Sequence, residues 1–152
     1  MSKRQDLDIT LLTEHDAWNG CEGEHLGLPL LIRYRSQLSR SVDLSNHPYL
    51  VIIGWNYSDH PTGMPSLEES ACMNRFEGEL VNELERDVLG VLAAVVTTGG
   101  VRRWVFYTMD ADRFCERFKC SAGRDKERSL QMDVWLDAEW NHFFQDIVGE
   151  AS

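Results

Sequence analysis

Trp55, Tyr57, Asp59 and His60 gather at the C-terminal end of an apolar run, and Gly63-Met64-Pro65 with the acidic pair Glu68 and Glu69 follows directly. Loops at strand ends are where binding and catalytic groups are often built, because a rigid scaffold holds them in place. In such a setting Trp55 and Tyr57 offer stacking faces, Glu69 or His60 a proton acceptor, and Arg33 or Arg103 a charge for an anion. Tyr107 ends a later apolar run, so the possible binding surface comprises Trp55, Tyr57, His60, Glu69, Arg103 and Tyr107. A structural alternative stands beside it: Trp55 as core, Glu69 as partner in a helix cap, and the loop as a rigid turn.

Other chemistry is weakly supported. His15, His25, His47, His60 and His142 are scattered without HxxxH, HExxH or Cys-His spacing, so no metal site is expected. Asp110 and Asp112 form a DxD, but Asp110 is better read as a helix N-cap. Cys21, Cys72, Cys115 and Cys120 make no CxxC pair, and Cys72 and Cys115 fall on apolar helix faces as expected buried thiols. No GxSxG, P-loop or GxGxxG occurs, and Gly99-Gly100 reads as a hairpin turn. No catalytic residue and no cofactor is assigned.

The elements that must position these residues follow from periodicity. Tyr49 to Trp55 is a short β-branched strand, and Ser66 with Glu69 makes a capping box that opens a helix reaching Asp87. Leu67, Cys72, Phe76, Leu80 and Leu84 form its expected apolar stripe. Val88 to Thr98 and Val101 to Thr108 are strands joined by Gly99-Gly100; Asp110 caps a helix carrying Phe114, Cys115 and Phe118; Leu130 to Leu136 alternates as a strand. Strand, helix, strand, strand, helix, strand is the split βαβ pattern of a ferredoxin-like α+β sandwich over residues 49–136. The central strands should be Tyr49 to Trp55 and Val101 to Thr108, paired antiparallel, with Val88 to Thr98 and Ser129 to Leu136 flanking them. Asp16 to Cys21 and Leu28 to Arg35 suggest an N-terminal hairpin. Because two strands are apolar on both faces, the second sheet face needs a cover. A last helix capped by Asp137, with Trp140, Phe143, Phe144 and Ile147 on one side, is the favoured cover, and a dimer partner the other candidate.

At 152 residues the chain fits one domain, with residues 1–12 a poorly ordered start. Met1 to Asp8 is charged and lacks an apolar signal core, and no segment approaches a membrane span, so a cytoplasmic location is expected. A net charge of −10, from 25 acidic and 15 basic residues, argues against nucleic-acid binding and favours a basic protein partner. Arg113, Arg117, Lys119, Arg124, Lys126 and Arg128 are interleaved with Glu116, Asp125 and Glu127, which reads as a solvated, ion-paired segment.

Trp55-x-Tyr57, Gly63-Met64-Pro65, Glu68, Glu69, Glu77, Thr98 with Gly99 to Arg103, Tyr107 and Asp110 together resemble a bacterial family, the domain of unknown function 695. The resemblance runs from about Trp18 to Asp137-x-x-Trp140-x-x-Phe143, where Ala138 replaces a proline of many relatives. It implies a small bacterial domain and carries over no catalytic residue. In some relatives a domain resembling the protein inhibitor of ribonuclease E follows, which implies a regulatory or protein-binding role. The expected function is thus a non-enzymatic protein-binding or regulatory module presenting an acidic helix. The alternative is a small-ligand binder or enzyme using Trp55, Tyr57, Glu69, Arg103 and Tyr107; a structural homodimer subunit is a third possibility.

Overall fold

The β-branched runs of the sequence become the middle of a sheet because side chains on both of their faces are removed from water. The structure, a computed structural model, describes residues 17–38, 43–57, 63–121 and 130–149. It is α+β: strands β1 (Trp18–His25), β2 (Leu28–Arg35), β3 (Tyr49–Asn56), β4 (Gly90–Thr98), β5 (Val101–Thr108) and β6 (Leu130–Leu136), helices α1 (Leu67–Glu85) and α2 (Ala111–Cys120), and a C-terminal π-helix, His142–Val148. One sheet contains all six strands in the order β1-β2-β4-β5-β3-β6, antiparallel throughout. The expected central pair is present, with Tyr49 opposite Thr108 and Asn56 opposite Val101. β4 and β6 flank it, and the β1–β2 hairpin pairs onto β4. Gly99 and Gly100 take φ of 57° and 87°, the left-handed geometry that a two-residue hairpin turn requires.

Ser66 caps α1 by accepting the Glu69 N–H at 3.1 Å. The buried stripe of α1 is Met73, Phe76, Leu80 and Leu84, which corrects the expected one: Leu67 is 92% exposed and Cys72 half-buried. Leu67 precedes Phe76 by nine residues, about two and a half helical turns, and so points the opposite way. α1 and α2 share one sheet face, where Met73, Phe76, Leu80, Phe114 and Phe118 pack with Val51, Ile53, Trp55, Trp104 and Phe106. Gly90 is what lets α2 approach, since a Cβ there would stand 2.8 Å from the Phe114 ring.

Trp140, Phe143 and Ile147 cover part of the other face, against Leu50, Val91, Ala93, Val105 and Tyr107. The covering segment differs from the expected α-helix. Trp140 lies ahead of the helix at φ 58°, Phe144 is half-buried, and the helical residues 142–148 are π-type. Asp137 shapes this entry, because its carboxylate accepts the N–H groups of Asn141 and His142 at 2.9 and 3.0 Å and the Tyr107 hydroxyl at 2.7 Å. The Trp140 ring stacks on Tyr107 with centroids 3.9 Å apart and 7° between planes, and its indole N–H donates to the His47 carbonyl. Among the described residues no helix is long and apolar enough to cross a membrane.

Arg117 of α2 grips the end of α1 by donating two hydrogen bonds to Asp87, at 2.7 and 2.9 Å. That pairing lowers the Asp87 pKa to about 2. A carboxylate whose folded pKa lies below its unfolded value of 3.8 stabilises the fold fully above that value and loses the effect as pH falls toward 2. Asp87→Asn should flatten the dependence of melting temperature on pH between about 4 and 2, a window that thermal unfolding in a buffer series reads directly. Trp140→Ala should lower the unfolding free energy by about 3 to 5 kcal/mol, as for a large aromatic removed from a core. Tyr107→Phe should lower it by about 1 to 3 kcal/mol, the effect of a lost buried hydrogen bond. Urea unfolding of both variants distinguishes the stacked ring from the hydroxyl.

Candidate functional site

Register across the sheet assembles a polar cleft on the face that carries α1. Gly20, Arg33, Val95, Trp104, Ile53 and Met132 are partners from strand to strand, and so are Glu22, Leu31, Thr97, Arg102, Trp55 and Leu130. The first row brings Arg33 and the second Arg102 beneath α1. The helix contributes Ser70, Asn74 and Glu77, spaced so that they share one side of it. Together these elements enclose about 690 Å³.

Three of the six carboxylates of α1 are turned toward the sheet. Glu69 accepts the Trp55 indole N–H at 2.8 Å. Glu77 Oε1 accepts from Arg33 at 2.6 Å and from the Trp104 indole at 2.9 Å. Glu85 is paired with Arg35 at 3.3 Å and accepts the Leu92 N–H at 2.7 Å. The Arg33 and Arg35 guanidinium groups also lie over the Trp18 ring, 5.5 and 4.9 Å from its centroid, which is cation–π distance.

Arg102 is treated differently. It is 8% exposed, yet its partners are neutral: Nε–H donates to Thr97 Oγ1 at 2.9 Å and a terminal nitrogen donates to Asn74 Oδ1 at 3.3 Å. Among the described residues no carboxylate lies within 4.0 Å of it. Burial first, and the nearby Arg33 charge second, lower its pKa, while Glu77 and Tyr57 act in the opposite sense. A guanidinium has five N–H donors, so most of those on Arg102 remain for whatever enters the cleft. A buried cation held only by neutral acceptors favours an anion at that point.

The family of unknown function DUF695 matches residues 16–147. The chain belongs to that family. No curated protein and no solved structure matches the chain. In this DUF695 domain the residues singled out from sequence are divided between the two sheet faces. Trp55, Tyr57 and Glu69 are together beside the cleft, because Trp55 is the register partner of Arg102. Their polar atoms are engaged internally: Trp55 with Glu69, and the Tyr57 hydroxyl as donor to the Gly63 carbonyl. Burial raises the Tyr57 pKa. Arg103 and Tyr107 belong to the opposite face, where Arg103 is exposed and Tyr107 buried. Burial first, and the Asp137 hydrogen bond second, raise the Tyr107 pKa. Asp59 and His60 lie outside the described residues.

Arg33 was an anion-binding candidate from sequence; Arg102 was not. Its signal is phase: along β5, Arg102, Trp104 and Phe106 share the buried parity, so Arg102 is a charge in step with core residues. Cys72 and Cys115 are half-buried rather than buried, with the Cys115 pKa raised chiefly by burial. Among the described residues no group of three His, Cys, Asp or Glu is placed to hold a metal ion.

Proposed function

We propose that this DUF695 domain is a binding module that holds a small anionic ligand in the cleft under α1. The observation that carries this reading is the burial of Arg102 with neutral partners only. A carboxylate or phosphate group would complete its ion pair and accept its remaining donors, which is how guanidinium groups recognise planar or tetrahedral anions. Arg33 supplies a second, shared charge, because Glu77 already neutralises much of it. The volume, about 690 Å³, lies within the range of small-molecule sites. Ser70, Asn74 and Thr97 offer neutral hydrogen bonds for the rest of the ligand.

We further read the core as a ferredoxin-like split βαβ sandwich extended by the hairpin and the C-terminal helix. The strand order β4-β5-β3-β6 with α1 and α2 on one face supports this. A regulatory role toward a basic protein partner is a second reading, supported by the net charge of −10 and the exposed Glu68 and Glu79. The inward turn of Glu69, Glu77 and Glu85 removes three carboxylates from such a surface.

Calorimetric titration with a panel of small carboxylates and phosphate esters tests the cleft. At least one should bind saturably, and Arg102→Met should weaken that binding tenfold or more, since it removes one partner of a desolvated charge pair. Equal affinity in the wild type and Arg102→Met would contradict the proposal.

A further inference from the structure

The C-terminal π-helix covers only part of the second sheet face. Under its edge lies a cavity of about 390 Å³ lined by Leu30, Ile32, Ile52, Val96 and Val105 of the sheet and by Ile147 of the helix itself. Arg103 of β5 lines the same cavity and is exposed at its rim. Its register partners are Val96 on one side and Gly54 on the other, so an aliphatic side chain and no side chain adjoin it. Arg103 is exposed, and among the described residues its side chain makes no ion pair or hydrogen bond. Two further polar groups at the rim, His142 Nδ1 and the Asp146 carboxylate, meet each other at 3.0 Å.

We propose that this cavity is a second binding site, independent of the cleft under α1, for a small amphiphile: an aliphatic body among these side chains and one carboxylate head on Arg103. An apolar body is called for because removing such side chains from water contributes roughly 25 cal/mol per Å². The carboxylate is called for because Arg103 is the charge at the rim without an acidic partner, and a guanidinium binds a carboxylate through two parallel hydrogen bonds. A macromolecular partner fits less well. A specific protein interface covers about 800 Å² on each side, while the apolar area here is recessed beneath the helix and of single-molecule size.

Titration of the full chain with decanoate, below its micellar concentration, is the test, with decanol as the uncharged control. Decanoate should bind with one-to-one stoichiometry and more tightly than decanol. Arg103→Gln should weaken decanoate about tenfold and leave decanol unchanged, as expected when a charge-assisted contact is lost. Val96→Phe should fill the cavity and abolish binding of both. Arg103 is exposed, so Arg103→Gln decides the matter even if Val96→Phe fails to fold. Absence of saturable binding, equal affinity for decanoate in the wild type and Arg103→Gln, or a dimer in sedimentation that decanoate does not dissociate would overturn the proposal.

Discussion

Three carboxylates of α1 fix how the helix sits on the sheet. Glu69, Glu77 and Glu85 recur at intervals of eight residues, and each reaches a different donor set: the Trp55 indole, Arg33 with the Trp104 indole, and Arg35 with the Leu92 N–H. Apolar packing of Met73, Phe76, Leu80 and Leu84 is non-directional and would tolerate a slide or rotation of the helix. Hydrogen bonds to indoles and guanidinium groups do not tolerate it, because each buried donor left unsatisfied costs about 1 to 3 kcal/mol. The register of the helix on the sheet is therefore set by polar contacts, and the apolar stripe supplies adhesion.

The cleft is a consequence of that placement. Six strands span about 24 Å across the sheet, while two helices packed side by side cover about 20 Å. α1 and α2 serve the central strands, and the β1–β2 hairpin widens the sheet beyond them. The uncovered breadth falls where Gly20 faces Arg33, so no side chain from β1 fills that point. Acidic groups from α1 have already been committed to Trp55, Arg33 and Arg35, and Arg102 is left with Thr97 and Asn74. Among the described residues no carboxylate pairs directly with Arg102, the feature on which the proposed ligand site rests.

Much of the architecture was legible in the sequence, because the strands carry continuous or alternating apolar patterns and the turns carry glycines with positive φ. The pairing of Tyr49–Asn56 with Val101–Thr108 and the use of Trp140, Phe143 and Ile147 as cover both follow from such patterns. The stripe of α1 is legible in Phe76, Leu80 and Leu84, whereas Leu67, apolar but in the first turn, faces away from them and Cys72 is half-buried beside Met73. The π-type geometry at His142–Val148 is not legible from apolar spacing alone, and the Tyr107–Asp137 hydrogen bond at its entry joins residues 30 positions apart. The site was half legible. Aromatic and charged residues near the first core strand were the right neighbourhood, but pooling Arg103 and Tyr107 with Trp55 ignored the strict alternation of β5. The same alternation assigns Arg102 to the cleft.

The central claim is that Arg102 serves a ligand and not the fold, and urea unfolding of Arg102→Met without ligand tests it most directly. A buried cation with neutral partners is replaced here by an apolar side chain of similar length, so the variant should be as stable as the wild type or more so. A loss of several kcal/mol, the effect of breaking a compensated buried ion pair, would show Arg102 to be structural and contradict the account.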